Sequence, residues 1–389
     1  MKKYNILIVG LKCYSGHIRE FVVNLKKKNP QARITLVTFS VRDEFKNDIL
    51  KSVDQIIRIK QYHGFIKLPI IYSIMDLLYL YWGFLKLHLF HHFDIVDIHY
   101  PRAFLKRIMP IIRMMTKNIV ITPWGSDVMR VDDKKSIENL CNICSQARYI
   151  TVARDSMIGK YVIDKFKMNP EKMVKLGWGG EFFDFIQENS GKVTTESAKE
   201  RFGLTDKFVI SCGYNMQYEQ RQEEIIDAIY SMKDQLPNNL LLLFPFTYGR
   251  CAQHIKHKDE ITDKCKSLGL DCTVIEEYLD LADLLKLRMA TDIFVHVQTT
   301  DAGSRCVMEY VYCNKKVVHG AWIKYAYLED YKPSCYFPVD KMENLGSVIV
   351  KASQAKVEEL PQEVKTIIQE RGWNHKMTLW NNFFKSLVS

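Results

Sequence analysis

The chain has 389 residues, of which 47% are hydrophobic and 26% charged, so it is long enough for two ordinary domains with apolar cores and is not a disordered polymer. Residues 1–180 hold 30 Lys and Arg against 15 Asp and Glu, a net charge of +15, whereas residues 181–389 hold 25 against 30, a net charge of −5. This asymmetry indicates that only the first part meets an anionic partner (a membrane surface, a lipid-linked phosphate or nucleic acid), or that its charge serves solubility alone.

The first half of the chain predicts alternating strands and helices. Residues 4–10 form a short apolar run that ends in glycine, which is typical of a buried strand, and a helical pattern follows over 17–28. Further strands are predicted at 33–39, 94–99, 118–122 and 149–153. Such alternation predicts a parallel sheet covered on both faces, which binds ligands beyond the carboxyl ends of its strands.

Residues 65–93 interrupt this alternation with an aromatic stretch. Asp76 and Lys86 are the charged residues between positions 70 and 90, and they argue against a membrane-spanning helix. Two interpretations remain. The stretch is either a helix pair packed in the core, or a helix that lies in the membrane interface on its aromatic face.

The second half resumes the alternation after a polar linker at 187–207. Strands are predicted at 208–212, 240–244, 272–275, 292–297 and 316–319, the last closing the sheet, with helices between them at 222–232, 259–268, 279–289 and 306–312. We therefore predict an α/β protein of two Rossmann-like domains, residues 1–186 and 187–365, that face each other across a cleft.

The cysteines and the N-terminal residues indicate the compartment. The ten cysteines lack the spacing of a disulfide framework, and the apolar run 6–9 is too short for a signal peptide. We expect free thiols and a cytoplasmic protein. Cys141 and Cys144 have the spacing of half a zinc site, but no second pair follows, so we predict no metal site.

Four stretches that fall where strands should end carry a family resemblance. Residues 122–127 (Thr-Pro-Trp-Gly-Ser-Asp) resemble a Thr-x-His-Gly-x-Asp turn, and 147–157 resemble an alanine–aspartate…valine–serine segment. Residues 177–180 stand in place of a Pro-Asn-Gly-Val turn, and 301–309 resemble a Glu-seven-residues-Glu motif. In this order they resemble the large retaining family four of the GT-B glycosyltransferases. That resemblance implies two Rossmann-like domains and a final helix, 366–389, that crosses back to the first domain.

The 301–309 motif also has a physical basis as a donor site. Gly303 and Ser304 open a predicted helix, whose free N–H groups suit the diphosphate of a nucleotide sugar. Asp301 could accept a sugar hydroxyl. Glu309, about one and a half turns into the helix, either accepts ribose hydroxyls or is an ordinary solvated residue. Arg305 places a positive charge in the first turn of the helix, where the helix dipole disfavours a cation. A bound diphosphate would offset this electrostatic cost.

Two further stretches resemble a narrower group. Residues 244–249 (Phe-Pro-Phe-Thr-Tyr-Gly) resemble the Pro-Leu-Thr-Tyr-Gly segment of bacterial 4-acetamido-4,6-dideoxygalactose (Fuc4NAc) transferases, which adds Thr247 and Tyr248 to the donor-binding candidates. In family four, an arginine follows the glycine that corresponds to Gly213, and this chain does not have it. Arg221 or Arg305 must therefore supply a cation for the diphosphate. Family four retains the sugar configuration and the narrower group inverts it, and both outcomes stay open.

Three residues of the first domain are catalytic candidates. His17, at the first strand-to-helix turn, is placed as a general base, although a capping or packing role would give the same sequence. His99 ends a strand and is a second candidate at the lip of the cleft. Asp127 is either catalytic or a helix N-cap. Gly16, Trp124 and Gly125 complete the acceptor-side loops, with Trp124 in place of the family's histidine.

These features together predict a glycosyltransferase that moves a hexosyl or acetamidosugar unit from a nucleotide-diphosphate sugar to an acceptor hydroxyl. No Asp-x-Asp motif that would hold catalytic manganese occurs, so we expect a metal-independent reaction that needs no cofactor besides the donor substrate. The predicted setting is bacterial polysaccharide or glycoconjugate assembly on a lipid-linked or glycan acceptor, with peripheral contact to the anionic inner face of the cell membrane.

Two alternatives remain open. A nucleotide-sugar epimerase of the same fold would need a carboxylate base and no acceptor. A non-catalytic basic binding protein would explain the charge. We predict that nucleic acid is not a partner, because the sequence has no helix-turn-helix, zinc or aromatic-strand signature.

Overall fold

The computed structural model describes residues 3–10, 16–39, 47–59, 69–247, 252–299, 301 and 304–388. The chain divides into two compact units, which we call unit one (Met1–Glu181 with Arg371–Ser389) and unit two (Phe182–Glu370). Each unit is built on one parallel six-stranded sheet, sheet one and sheet two, with helices around it. The prediction of an α/β protein with two Rossmann-like domains is confirmed.

Sheet one follows the predicted strands closely. Its strands are Asn5–Gly10 (β1), Arg33–Thr38 (β2), Gln55–Arg58 (β3), Ile95–His99 (β4), Ile119–Thr122 (β5) and Tyr149–Ile150 (β6). The helices around it are Gly16–Lys28 (α1), Asn47–Ser52 (α2), Pro69–Phe90 (α3), Met109–Met115 (α4), Ser126–Met129 (α5), Lys134–Gln146 (α6) and Met157–Phe166 (α7). The strand order is β3-β2-β1-β4-β5-β6. The sequence analysis missed β3, an edge strand of four residues that is only partly buried and so lacks a strong apolar signal.

Sheet two contains one strand more than predicted. Its strands are Phe208–Cys212 (β7), Leu240–Pro245 (β8), Cys272–Ile275 (β9), Ile293–His296 (β10), Lys316–Gly320 (β11) and Tyr336–Val339 (β12). The helices are Glu181–Asn189 (α8), Thr195–Arg201 (α9), Gln222–Tyr230 (α10), Ala252–Ser267 (α11), Leu281–Ala290 (α12), Arg305–Tyr312 (α13), Ala326–Tyr331 (α14), Leu345–Gln354 (α15) and Gln362–Gln369 (α16). The prediction that β11 closes the sheet was wrong, because β12 pairs with its outer edge.

Both sheets have the same topology. The order of sheet two is β12-β11-β10-β7-β8-β9, so in each sheet the chain lays three strands toward one edge and then crosses to the other side of the first strand. The crossing creates a switch point between β1 and β4, and another between β7 and β10. Ligands of open α/β sheets bind at such points, beyond the carboxyl ends of the strands.

Alternating side chains bury both faces of sheet one. Leu7 and Val9 of β1 belong to one core cluster, and Ile6 and Ile8 to the other. A strand buried on both faces reads as a continuous apolar run, which explains why β1 was easy to predict.

The last helix, Trp373–Leu387 (α17), packs in unit one. Trp373, Trp380 and Phe384 are fully buried in the cluster that holds Ile6 and Ile8, and Trp380 Nε1 donates a hydrogen bond to the Gly177 carbonyl at 3.0 Å. The single helical segment expected at 366–387 is therefore two helices, and the first of them, α16, belongs to unit two.

The aromatic stretch forms one long helix, α3, rather than a helix pair. Phe84 and Leu87 are buried in the core of unit one, but large apolar side chains on the same helix are exposed, as described below. No helix in the described part of the chain is long and apolar enough to cross a membrane.

Candidate functional site

Four aromatic rings meet at the carboxyl edge of sheet one, and we call them the ring cluster: His17, His99, Trp124 and Trp178. His17 lies in the first turn of α1, His99 ends β4, Trp124 follows β5, and Trp178 precedes α8. The His17 ring centroid lies 5.0 Å from that of Trp124 and 5.9 Å from that of Trp178. The cluster therefore stands beside the switch point, and it brings together two of the three predicted catalytic residues.

The two histidines of the cluster differ in exposure. His17 is exposed, whereas His99 is buried, with its Nε2 atom 3.0 Å from Oδ2 of Asp97. Thr122 donates a hydrogen bond to the other oxygen of that carboxylate at 2.7 Å. His99 was predicted at the lip of a cleft, but its side chain is buried. Phe21 of α1 and Trp380 of the distant α17 pack against the His99 ring.

Three ring nitrogens of the cluster have no hydrogen-bond partner among the described residues: His99 Nδ1, Trp124 Nε1 and Trp178 Nε1. A buried polar atom without a partner costs about 1–3 kcal/mol. Buried polar atoms of this kind need an explanation in a native fold, and one explanation is a polar group of a bound ligand.

Asp127 closes the turn that carries Trp124. Its carboxylate accepts hydrogen bonds from the backbone N–H groups of Trp124 at 3.0 Å and Gly125 at 2.7 Å. Gly125 has φ of 117°, a conformation that favours glycine. The Asp127 side chain is 1% exposed, and burial raises its pKa to about 6. This geometry makes Asp127 a positioning residue for the turn. Gly16 begins α1 and is exposed.

A connected polar network lies at the carboxyl edge of sheet two. The Tyr325 hydroxyl donates a hydrogen bond to Asp301 Oδ2 at 2.8 Å and accepts one from the Ser304 backbone N–H at 2.9 Å. His296 Nε2 lies 3.2 Å from the same Asp301 oxygen. Two of the predicted donor-binding residues, Asp301 and Ser304, are thus held together by a tyrosine that the sequence analysis did not select.

The network continues through side chains near the switch point of sheet two. The Gln298 amide donates a hydrogen bond to the Tyr214 hydroxyl at 2.8 Å, and the Tyr214 ring stacks on His296. His296 also stacks on His319 with parallel rings 5.3 Å apart. Burial, with the neighbouring His296, lowers the pKa of His319 to about 3, so this ring is neutral at pH 7. His296 could have been selected from the sequence, because it lies at the end of β10. Tyr325 could not, because no sequence pattern around it indicates a site.

Glu309 is not a solvated residue, and its contact with ribose hydroxyls stays a prediction. Its side chain is buried, and its Oε2 atom accepts hydrogen bonds from Arg288 Nε at 3.0 Å and Nη2 at 2.8 Å. The solvated alternative is excluded. The sequence could not show this because Arg288 lies on a different helix, α12, and is itself buried.

The other donor-binding candidates are placed as follows. Gly213 has φ of 73°, and an added Cβ would lie 2.7 Å from Gln220 Oε1. Arg221 forms an ion pair with Glu224 at 2.8 Å. Thr247 follows β8, and Arg305 begins α13, both partly exposed, while Tyr248 and Gly303 lie outside the described residues.

Within the described residues, one group has the donor set of a metal site: Glu223, His257 and Glu260, on α10 and α11. Glu260 already forms an ion pair with Lys256 at 3.1 Å. None of the residues predicted for the donor or acceptor belongs to this group.

No protein-family model and no curated protein sequence matches the chain. Solved structures are similar in fold. A glycosyltransferase from Rickettsia africae is 14% identical over 100% of both chains, with a TM-score of 0.73. HepE from Anabaena, solved in complex with UDP and glucose, is 13% identical over 98% of this chain and 100% of its own, with a TM-score of 0.69. Sucrose-phosphate synthase from Thermosynechococcus elongatus is 12% identical over 99% of each chain, with a TM-score of 0.68. These likenesses show that the chain has the GT-B fold.

Proposed function

We propose that the chain is a glycosyltransferase, which moves a sugar from a nucleotide-diphosphate donor to an acceptor hydroxyl. The observation that carries the proposal is the pair of side-chain clusters at the switch points of the two sheets, in a chain that shares the GT-B fold along its whole length. An enzyme with two substrates needs a site for each of them, whereas a protein that binds one ligand would need such groups at only one of the two edges.

Unit two is the proposed donor unit. Asp301, which contacts Tyr325 and His296, would accept hydrogen bonds from sugar hydroxyls. The first turn of α13 and Arg305 would face the diphosphate and stabilise the leaving group as the glycosidic bond to phosphate breaks. HepE, which shares the fold, was solved with UDP and glucose, and this supports a nucleotide-sugar donor here.

Unit one is the proposed acceptor unit. His17 is the exposed histidine of the ring cluster, and an imidazole that is neutral near pH 7 can take the proton of the attacking hydroxyl. The Trp124 and Trp178 rings, whose N–H groups have no hydrogen-bond partner among the described residues, offer an apolar surface with polar points, the composition typical of a small-molecule site.

The narrower parts of the proposal rest on the motifs and the charge. The segment 244–249 favours a hexosyl or acetamidosugar donor, and the reaction is proposed to need no metal or cofactor. Unit one holds 33 Lys and Arg against 16 Asp and Glu, a net charge of +17, which favours a lipid-linked or glycan acceptor at the anionic inner face of a bacterial membrane.

The test measures binding and then turnover. A thermal-shift screen of nucleotide diphosphates and nucleotide sugars should give a concentration-dependent rise in Tm for at least one donor class. With that donor and a lipid-linked oligosaccharide acceptor, transfer should persist in EDTA. His17→Ala should lower kcat by about 10²–10⁴-fold, the usual contribution of a general base, while donor affinity stays unchanged.

His92→Ala is the matched control, because His92 is an exposed histidine of unit one outside the ring cluster, and it should transfer normally. Donor isomerisation without acceptor would favour the epimerase instead. Salt-sensitive binding to arbitrary DNA without any nucleotide-sugar affinity would favour the basic binding protein and overturn the proposal.

A further inference from the structure

One face of α3 is apolar and exposed, and we call it the outer face of α3. Its large apolar side chains, with the exposed fraction of each, are Ile74 (52%), Leu78 (56%), Trp82 (55%), Leu89 (62%) and Phe90 (76%). Ile74, Leu78 and Trp82 are four residues apart and therefore share one side of the helix.

The opposite side of α3 already forms part of the core. Phe84 and Leu87 are at most 1% exposed and pack in the main cluster of unit one. The outer face is therefore not needed to hold the helix in place. Contiguous exposed apolar surface of this kind marks a site of interaction.

Basic and aromatic residues surround the outer face. Lys86 is exposed, and its Nζ atom lies 5.1 Å from the centre of the Trp82 ring. Tyr81, also exposed, donates a hydrogen bond to the backbone carbonyl of Arg107, which places this exposed arginine beside α3. Arg113, on the adjoining α4, is exposed as well.

Acidic side chains are few in this part of unit one. Residues 69–117 contain six Lys and Arg against three Asp, and one of those, Asp97, is fully buried beneath the ring cluster. This stretch therefore has a net charge of +3.

We propose that the outer face of α3 inserts into the interfacial layer of an anionic phospholipid bilayer, with the helix parallel to the surface. Trp and Tyr side chains favour the membrane interface, and a lysine among apolar residues can extend its charge to the headgroups. From Ile74 to Phe90, at 1.5 Å per residue, the outer face offers a line of contact about 24 Å long.

A bilayer fits this face better than a second protein surface. An interface between two proteins would bury the Lys86 charge among Trp82, Leu78 and Leu89, where it would need a carboxylate partner. In a bilayer interface the same charge meets anionic headgroups instead. The inference makes the proposed membrane contact of unit one specific, and it holds whether or not the chain transfers sugar.

The experiment is sedimentation of the full chain with vesicles of 70% phosphatidylcholine and 30% phosphatidylglycerol. The test variant is Leu78→Gln/Trp82→Gln, which removes apolar surface without changing the charge. The matched control is Ile255→Gln/Tyr278→Gln, which alters two exposed apolar residues of unit two, 61% and 84% exposed. We expect the test variant to bind vesicles at least tenfold more weakly than the control, and the control to bind like the wild type.

Three results would overturn the inference. The first is a test variant that binds vesicles as the wild type does. The second is a wild type that ignores these vesicles at low salt. The third is a wild-type dimer in analytical ultracentrifugation that the test variant converts to a monomer, because the outer face would then be covered by a second copy. Thermal-shift titration of the same samples with the donor nucleotide tests the proposed sugar transfer independently of vesicle binding.

Discussion

The carboxyl edges of the two sheets share a topology but differ in chemistry. At sheet two, Asp301, Ser304, Tyr325 and His296 are joined by hydrogen bonds or close polar contacts of 2.8–3.2 Å. At sheet one, aromatic rings meet edge to face, and three of their nitrogens have no partner among the described residues. The sheet topology determines where a binding site lies, whereas the residues that follow each strand determine which ligand it binds.

The difference also separates two ways of binding. The network at sheet two is largely formed before a ligand arrives, which suits a donor that must be held in one orientation. In the ring cluster of sheet one, three ring nitrogens have no hydrogen-bond partner among the described residues, which suits an acceptor that contributes hydroxyl groups. Three predictions test this difference between the two edges.

The largest expected effect concerns Glu309. Glu309→Ala would leave Arg288 buried without its partner, and we expect a loss of about 3–5 kcal/mol in the free energy of unfolding. Urea unfolding of the variant and the wild type measures the difference.

The double variant Arg288→Met/Glu309→Leu serves as the control, because it replaces both charges with apolar side chains and should recover most of the stability. Donor affinity of this double variant then decides the ribose role. If a stable double variant binds nucleotide sugars like the wild type, Glu309 has no part in the donor site.

The second prediction concerns the pH dependence at Asp127. Its pKa is about 6 in the folded chain, against an ordinary value of 3.8, so between these values the folded state holds a proton that the unfolded state has lost. Stability therefore falls as the pH rises through this window, by about 3 kcal/mol in total at 1.36 kcal/mol per pKa unit.

Asp127→Asn should remove this contribution. The difference in unfolding free energy between the wild type and the variant should shift in favour of the variant by about 2.4 kcal/mol from pH 4 to pH 7. Chemical denaturation at several pH values measures it. A difference that is constant with pH would show that the carboxylate titrates normally, and the turn would then not bury its charge.

The smallest effect is expected for Trp124→Phe, which keeps an aromatic ring and removes an N–H that has no partner in the part of the chain that the structure describes. If the acceptor supplies a partner for that group, its KM should rise on the order of tenfold, the equivalent of one hydrogen bond of about 1.4 kcal/mol. The donor KM should not change. Tyr100→Phe is a useful comparison, since it alters a neighbouring ring whose hydroxyl already meets Ser126 at 3.3 Å. An unchanged acceptor KM in Trp124→Phe would remove that nitrogen from the acceptor site.

The sequence by itself determined the α/β class and most of the strands. Strands buried on both faces, such as β1, β7 and β8, read as short apolar runs, because local composition reflects burial on both sides of a parallel sheet. The positions after these runs also located His17, Trp124, Asp127 and Asp301, since parallel strands end at a common edge.

Tertiary structure alone decided how these residues are used. The burial of His99 depends on α17, more than 270 residues further along the chain, and the pairing of Glu309 depends on α12. The Tyr325 bond to Asp301 and the packing of α3 on one face likewise join segments without a shared local pattern. Sequence periodicity records whether a side chain is buried, but not which distant group buries it or completes its hydrogen bonds, because those partners are set by the packing of the whole unit.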